Sequence, residues 1–136
     1  CKKKPKKIYI LLGTNALASG SNSSFILYYE KLIEMIREQF PKATVYIEGI
    51  PPVTGKVSME RITLTNGRIR KINVEIAMMA KEQDCYYIDL YQALADEERC
   101  LPDEIAQEDG IHMNEEGCRE WIAYLLCHTV EDVKGE

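Results

Sequence analysis

The sequence lacks paired cysteines, long hydrophobic runs and an excess of basic charge. Its five cysteines are dispersed, with no Cys-x-x-Cys pair for a zinc or redox site. The only two histidines, His112 and His128, lie on separate predicted elements, so no metal is expected, and no other cofactor is expected. No apolar run approaches the roughly 20 residues that a membrane span needs. Lysine and arginine total 17 against 22 aspartate and glutamate, a net charge of −5. Acidic balance argues against nucleic acid as a partner, and unpaired cysteines predict a cytoplasmic protein.

The length and composition predict a single domain over residues 1–136. A chain of 136 residues with 46% hydrophobic residues can bury one core and is too short for two. Its one basic cluster spans Lys2 to Lys7 and is interrupted by Pro5. We interpret this cluster as a solvated lead-in to the first strand.

The patterning predicts alternating strands and helices in an α/β fold. Strands are expected at Ile8–Leu12, Thr44–Ile50 and Cys85–Asp89, because these short runs are apolar and rich in β-branched or aromatic residues. Helical spacing predicts helices from Phe25 to Phe40 and from about Ile69 to Ala80. Strands joined in this way form an open parallel sheet.

The segments between these elements are predicted to be loops. Gly13 to Ser24 is rich in glycine, serine and asparagine, and a second loop is expected to run to about Asn66. A long polar connection, Leu90 to Asp109, is expected to hold one helical turn near Tyr91–Glu98. Asn114 is a suitable N-cap for a last helix that contains Trp121.

Asn15 is a candidate oxyanion-hole donor because it follows the first strand directly. Ligands of an open parallel sheet bind beyond the carboxyl ends of its strands. Gly13 allows the sharp turn that would aim the Asn15 amide into this crevice, where its N–H could stabilise a tetrahedral transition state. Gly-Thr-Asn is also a common turn sequence, so the pattern alone leaves a structural role open.

Asp109-Gly110-Ile111-His112 is a candidate acid–base pair. A histidine base needs a carboxylate that fixes its tautomer and stabilises the imidazolium, and Asp109 lies three residues before His112. The same residues could instead form a turn with an exposed histidine.

Together these two motifs resemble blocks of the SGNH/GDSL serine esterase family of lipases and acylhydrolases. Leu11-Leu12-Gly13-Thr14-Asn15 is similar to its G-x-N block, and residues 109–117 are similar to its D-x-x-H block. The resemblance extends from Ile8 to about Leu126. It implies a flavodoxin-like three-layer fold with helices on both faces of the sheet. It also implies acyl-ester hydrolysis with Asn15 in the oxyanion hole, His112 as base and Asp109 as its orienting carboxylate.

The sequence departs from the family pattern in three respects. No Gly-Asp-Ser nucleophile block occurs in it, and the glycine that supplies a second oxyanion donor would fall upstream of Cys1. Ala16 stands where the family usually has aspartate. The simplest hypothesis is a partial domain whose N-terminal strand–helix unit is missing. The serine would then come from a complementing N-terminal segment, and this chain would be inactive alone.

Other functions remain open at the level of sequence. A non-catalytic α/β module could keep the remnant site for a ligand or a partner protein, and unpaired sheet edges would favour a homo-oligomer. A nucleotide-binding domain is poorly supported, because Gly13 and Gly20 do not give G-x-G-x-x-G. Serines 19, 21, 23 and 24 could in principle supply a nucleophile, but such residues are typical of the start of a helix. The favoured partner is a small-molecule ester substrate.

Overall fold

The computed structural model describes residues 4–19 and 22–129, without the side chains of residues 18 and 19. The chain forms β1 (Lys7–Ile10), α1 (Thr14–Ser19), α2 (Asn22–Gln39), β2 (Thr44–Glu48), α3 (Gly55–Glu60), α4 (Asn66–Glu82), β3 (Tyr86–Ile88), α5 (Leu90–Leu94) and α6 (Glu115–Cys127). A single 3-10 turn, Asp103–Ile105, lies between α5 and α6.

The three strands form one parallel sheet in the order β1-β2-β3. Their register pairs Tyr9 with Tyr46 and Tyr46 with Tyr86, and the three rings stack across the sheet. The predicted open parallel α/β sheet is therefore confirmed. Because the strands are parallel, the segments that follow β1, β2 and β3 all leave from the same edge.

Helices cover both faces of this sheet. Val45 and Ile47 of β2 lie in a core cluster with Ile33 of α2 and Ile72 of α4. Neighbouring strand residues point to opposite faces, so Glu48 lies on the other side from Ile47. There the Trp121 indole N–H of α6 donates a hydrogen bond of 2.6 Å to Glu48 Oε1. This arrangement is the layered architecture that the sequence predicts.

Two predicted loops contain short helices. Residues 13–24 include α1 and the first turn of α2, and the segment before Asn66 includes α3. Each short helix has six residues, too few for a helical period to stand out in sequence. The Thr54 hydroxyl caps α3 by accepting a hydrogen bond from the Val57 N–H.

The strands are shorter than predicted, and the turn after β3 ends earlier. β1 stops at Ile10 and β2 at Glu48. Beyond them, Leu11 and Ile50 pack into apolar clusters instead of pairing with a neighbouring strand. α5 stops at Leu94, where Asp96 Oδ1 accepts N–H bonds from Glu98 and Cys100 and draws the chain into a turn. Asn114 caps α6 as predicted, because its Oδ1 accepts the Gly117 N–H.

The four cysteines in the described part of the chain carry free thiols. They are Cys85, Cys100, Cys118 and Cys127, whereas Cys1 lies outside the described residues, as do Lys2 and Lys3. Within residues 4–19 and 22–129, none of the helices has the length and apolar character needed to cross a bilayer.

Candidate active site

The turn after β1 depends on a glycine. Gly13 has φ of 133°, a conformation that residues with a side chain rarely adopt. A Cβ at this position would lie 2.4 Å from Ile50 Cδ1, so Ile50 packs directly against the Gly13 backbone. The chain then enters α1, with Asn15 as its second residue.

Asn15 is exposed and borders a surface pocket of about 350 Å³. The pocket is also lined by Leu12, Gly13 and Phe25. Ala16 lines it as well, at the position where the sequence pattern departs from the resembled family. The Asn15 side chain therefore stands at the carboxyl edge of the sheet, beside a cavity.

The structure brings Asp109 and His112 together within one loop. Asp109 Oδ2 lies 2.5 Å from His112 Nδ1. The other carboxylate oxygen, Oδ1, accepts the backbone N–H groups of Ile111 and His112, both at 2.9 Å. With Nδ1 paired to the carboxylate and 71% of the His112 side chain exposed, Nε2 is the ring nitrogen left to exchange a proton with a reacting group.

These hydrogen bonds hold Asp109 in its ionised form. The contact with the His112 ring, followed by the His112 and Ile111 backbone N–H groups, lowers the pKa of the Asp109 carboxyl to about 2. Hydrogen bonds donated to a carboxylate favour its charged form. An ionised Asp109 can stabilise an imidazolium on His112, which a base needs when it accepts a proton.

A second glycine fixes the position of this loop. Gly110 has φ of 69°, and its carbonyl accepts a hydrogen bond of 2.9 Å from the Thr54 N–H. A Cβ on Gly110 would lie 2.5 Å from Thr54 Oγ1 and 2.6 Å from Val57 Cγ2. The loop that carries His112 thus rests on Thr54 and Val57 at the start of α3.

Gln107 ties the two sides of the same loop, and sequence reasoning did not single it out. Its backbone N–H donates to the His112 carbonyl at 2.8 Å, and its side-chain Nε2 donates to the Met113 carbonyl at 3.0 Å. Asn114 then begins α6. A polar residue five positions before a candidate catalytic histidine is too general a signal to predict these two bonds.

The Asn15 turn and the His112 loop share neighbours. Gly13 packs on Ile50, and Gly110 is bonded to Thr54, so both abut the short segment that follows β2. Leu11 of the first motif and Met113 of the second belong to one small apolar cluster. Both motifs therefore contact residues 50–54 and contribute to the same apolar cluster.

Two of the four candidate serines lie at the start of α2. Ser23 and Ser24 are exposed residues in the first turn of α2, as expected for the start of a helix. Ser21 and Gly20 lie outside the described residues, and Ser19 ends α1.

In the described part of the chain, no group of three or more histidine, cysteine, aspartate or glutamate side chains could hold a metal ion.

Comparison with known proteins gives a family and a fold. The model of the GDSL-like Lipase/Acylhydrolase family matches residues 2–120. No curated protein matches the chain.

Several solved structures share the fold at low sequence identity. A lipase/acylhydrolase from Enterococcus faecalis is 22% identical with a TM-score of 0.71, over 90% of this chain and 60% of that one. A protein from Streptococcus pneumonia named for platelet activating factor is 20% identical with a TM-score of 0.82, over 90% of this chain and 59% of that one. A carbohydrate esterase family 3 protein from Talaromyces cellulolyticus is 20% identical with a TM-score of 0.68, over 89% of this chain and 55% of that one. The chain spans less than two thirds of the length of each.

Proposed function

The chain belongs to the GDSL-like lipase/acylhydrolase family, and we propose that it carries the acid–base half of an active site that hydrolyses acyl esters through a serine acyl-enzyme. No Gly-Asp-Ser occurs in the 136 residues. The serine would therefore come from a segment outside them. Under this proposal, the whole protein comprises residues 1–136 and such a segment upstream of Cys1.

The pairing of His112 with Asp109 supports this proposal most directly. The carboxylate holds Nδ1 at 2.5 Å and is itself fixed by two backbone N–H groups, so the imidazole has a defined orientation. Three-residue spacing alone is compatible with a simple turn. A turn with an incidental histidine does not require that ring to share a hydrogen bond with the carboxylate.

In the proposed reaction, His112 Nε2 takes the proton of the serine hydroxyl as its oxygen attacks the ester carbonyl carbon. Asp109 stabilises the imidazolium, and the Asn15 amide donates a hydrogen bond to the oxyanion. His112 then protonates the departing alcohol, which leaves an acyl-enzyme. Water, deprotonated by His112, releases the acid and restores the serine.

The substrate class is proposed from the names of similar structures. One of these proteins is named a lipase/acylhydrolase and another a carbohydrate esterase. We propose a small-molecule, lipid or carbohydrate ester as substrate. The pocket of about 350 Å³ beside Asn15 is large enough for a short acyl group.

The proposal is tested by labelling the whole protein with a fluorophosphonate probe and locating the label by mass spectrometry. We expect one labelled serine, upstream of Cys1, and no label on residues 1–136 expressed alone. Mixing residues 1–136 with the separate upstream segment should restore labelling if the two associate. A whole protein that acquires no labelled serine would contradict ester hydrolysis and favour a non-catalytic module that binds a ligand or partner at the same site.

A further inference from the structure

The segment Ile50–Thr54 leaves the sheet after β2 and has only three backbone N–H groups, because Pro51 and Pro52 have none. Ile50 N–H donates to Asn73 Oδ1 at 2.8 Å, and Val53 N–H donates to Asn66 Oδ1 at 2.9 Å. The third, Thr54 N–H, donates to the Gly110 carbonyl at 2.9 Å. Two of the three donors of this segment are thus satisfied by side chains of α4.

Each asparagine also donates back to the residue from which it accepts. Asn73 Nδ2 bonds to the Ile50 carbonyl and Asn66 Nδ2 to the Val53 carbonyl, both at 2.9 Å. The exposed fractions of Asn73 and Asn66 are only 7% and 4%. Removing a partner inside the protein leaves a buried polar group unsatisfied, so these two-point contacts restrain the segment strongly.

The spacing of the two contacts matches along both chains. Asn66 and Asn73 are seven residues apart in α4, nearly two full turns, which places them on one face with a rise of about 10.5 Å. Ile50 and Val53 are three residues apart, and the two prolines between them favour an extended chain, which would span roughly 9 to 11 Å. The helix therefore sets both the position and the length of the segment.

The two ends of the segment support different halves of the candidate active site. Ile50, held by Asn73, packs its Cδ1 against the Gly13 turn that precedes Asn15. Val53, held by Asn66, precedes Thr54, which is bonded to Gly110 in the His112 loop.

We infer that Asn66 and Asn73 are positioning residues for this site. Asn66 fixes the position of the loop that carries His112, and Asn73 fixes the position of the turn that precedes Asn15. Neither is placed to touch substrate. Their effect on turnover rests on the proposed function, whereas their effect on the two loops can be measured without any reaction.

The test uses Asn66→Ala and Asn73→Ala in the whole protein, with Ile76→Val as the control. Ile76 is buried in the same helix and lies in the main core cluster. The first readout is the NMR signal of the His112 Nδ1 proton, which lies in the contact with Asp109. The second is hydrogen exchange at the Ile50 and Val53 amides. The third is steady-state kinetics, which show whether a variant changes kcat or KM.

For Asn66→Ala we expect faster exchange at Val53, a weakened or shifted His112 signal and a fall in kcat of about tenfold to a hundredfold, as for small misplacements of catalytic groups. For Asn73→Ala we expect faster exchange at Ile50 and a comparable fall in kcat, with the His112 signal retained. Ile76→Val should lower stability without either local effect.

If the alanine variants do not fold, Asn66→Ser and Asn73→Ser replace them, since each is uncharged and keeps a small hydroxyl that can still accept or donate a hydrogen bond at the same place. Effects of the same sign and smaller size are then expected. Folded variants with unchanged exchange and an unchanged His112 signal would overturn the inference. Altered loops in a protein without esterase activity would instead overturn the proposed function and leave the inference standing.

Discussion

Asp109 Oδ2 lies 2.5 Å from Nδ1 of His112, while Oδ1 of the same carboxylate accepts the backbone N–H of His112. One side chain therefore fixes both the ring and the backbone of the candidate base. The arrangement is local to a four-residue turn, so the base and its orienting carboxylate stay together if the loop moves as a unit.

The Asp109 carboxyl should titrate well below its ordinary range. Its pKa in the folded protein is about 2, against 3.8 for the unperturbed group. A lowered folded pKa stabilises the protein above pH about 3.8, and this contribution is lost as pH falls through about 2. NMR detection of the carboxyl carbon should give a midpoint near 2. A midpoint near the unperturbed value would mean that the contact with His112 is not maintained in solution.

Replacing Asn15 tests the proposed oxyanion donor. Asn15→Ala in the whole protein should lower kcat by about 10²- to 10³-fold with little change in KM, since an oxyanion donor acts mainly on the transition state. Gln39→Ala removes an exposed amide at the end of α2 and should leave both constants unchanged. If kcat survives in Asn15→Ala, the amide has no such role.

Gly110→Ala should destabilise the protein by about 1 to 3 kcal/mol, because it forces a side chain into a positive-φ position. The new Cβ would also overlap Thr54 Oγ1 and Val57 Cγ2. The matched control is Gly67→Ala in α4, where the nearest side-chain atoms are 4.0 Å away. That change should stabilise by about 0.4 to 1 kcal/mol. Chemical denaturation measures the free energy of unfolding of both variants. Equal effects would contradict the close packing of the Gly110 loop against α3.

Glu48 should make stability depend on pH in the opposite sense to Asp109. Burial raises the pKa of its carboxyl, and the hydrogen bond from Trp121 offsets only part of this effect. Stability from a raised carboxyl pKa is fully present below the unfolded value and is lost as pH rises through the folded one. Glu48→Gln keeps an acceptor for the Trp121 N–H.

The free energy of unfolding of Glu48→Gln should therefore exceed that of the unsubstituted protein at pH 8, with the difference shrinking towards pH 4. Glu38→Gln, at an exposed position of α2, serves as the control and should show no such trend. A Glu48→Gln variant that is less stable at pH 8 would mean that the ionised carboxylate is the favoured form in the fold.

Regular periodicity and local motifs made the sheet predictable from sequence. Residues Thr44–Ile50 show a buried strand through their apolar, β-branched run, and the repeat of Ile69, Ile72 and Ile76 marks the buried face of α4. The Asp109–His112 contact was also predictable, because three residues are enough to bring those side chains together. That prediction required no information about residues that are far away in the sequence.

Contacts between distant segments were not predictable. The bond from Thr54 to Gly110 joins residues that nothing in sequence pairs, and α1 and α3 are too short for their period to show. Asn66 and Asn73 interrupt the apolar face of α4, which marks them as unusual. Their partners depend on where the segment after β2 lies, and only the folded chain specifies that.

The most direct measurement is kcat/KM for ester hydrolysis by the whole protein and by His112→Ala, with His128→Ala as the matched control. His128 is the other histidine of the chain and stacks on Tyr124 at the end of α6. We predict a loss of at least about 10³-fold for His112→Ala, as for removal of a base that acts with its nucleophile as a unit, and an unchanged value for His128→Ala. Full activity in a folded His112→Ala variant would contradict the account.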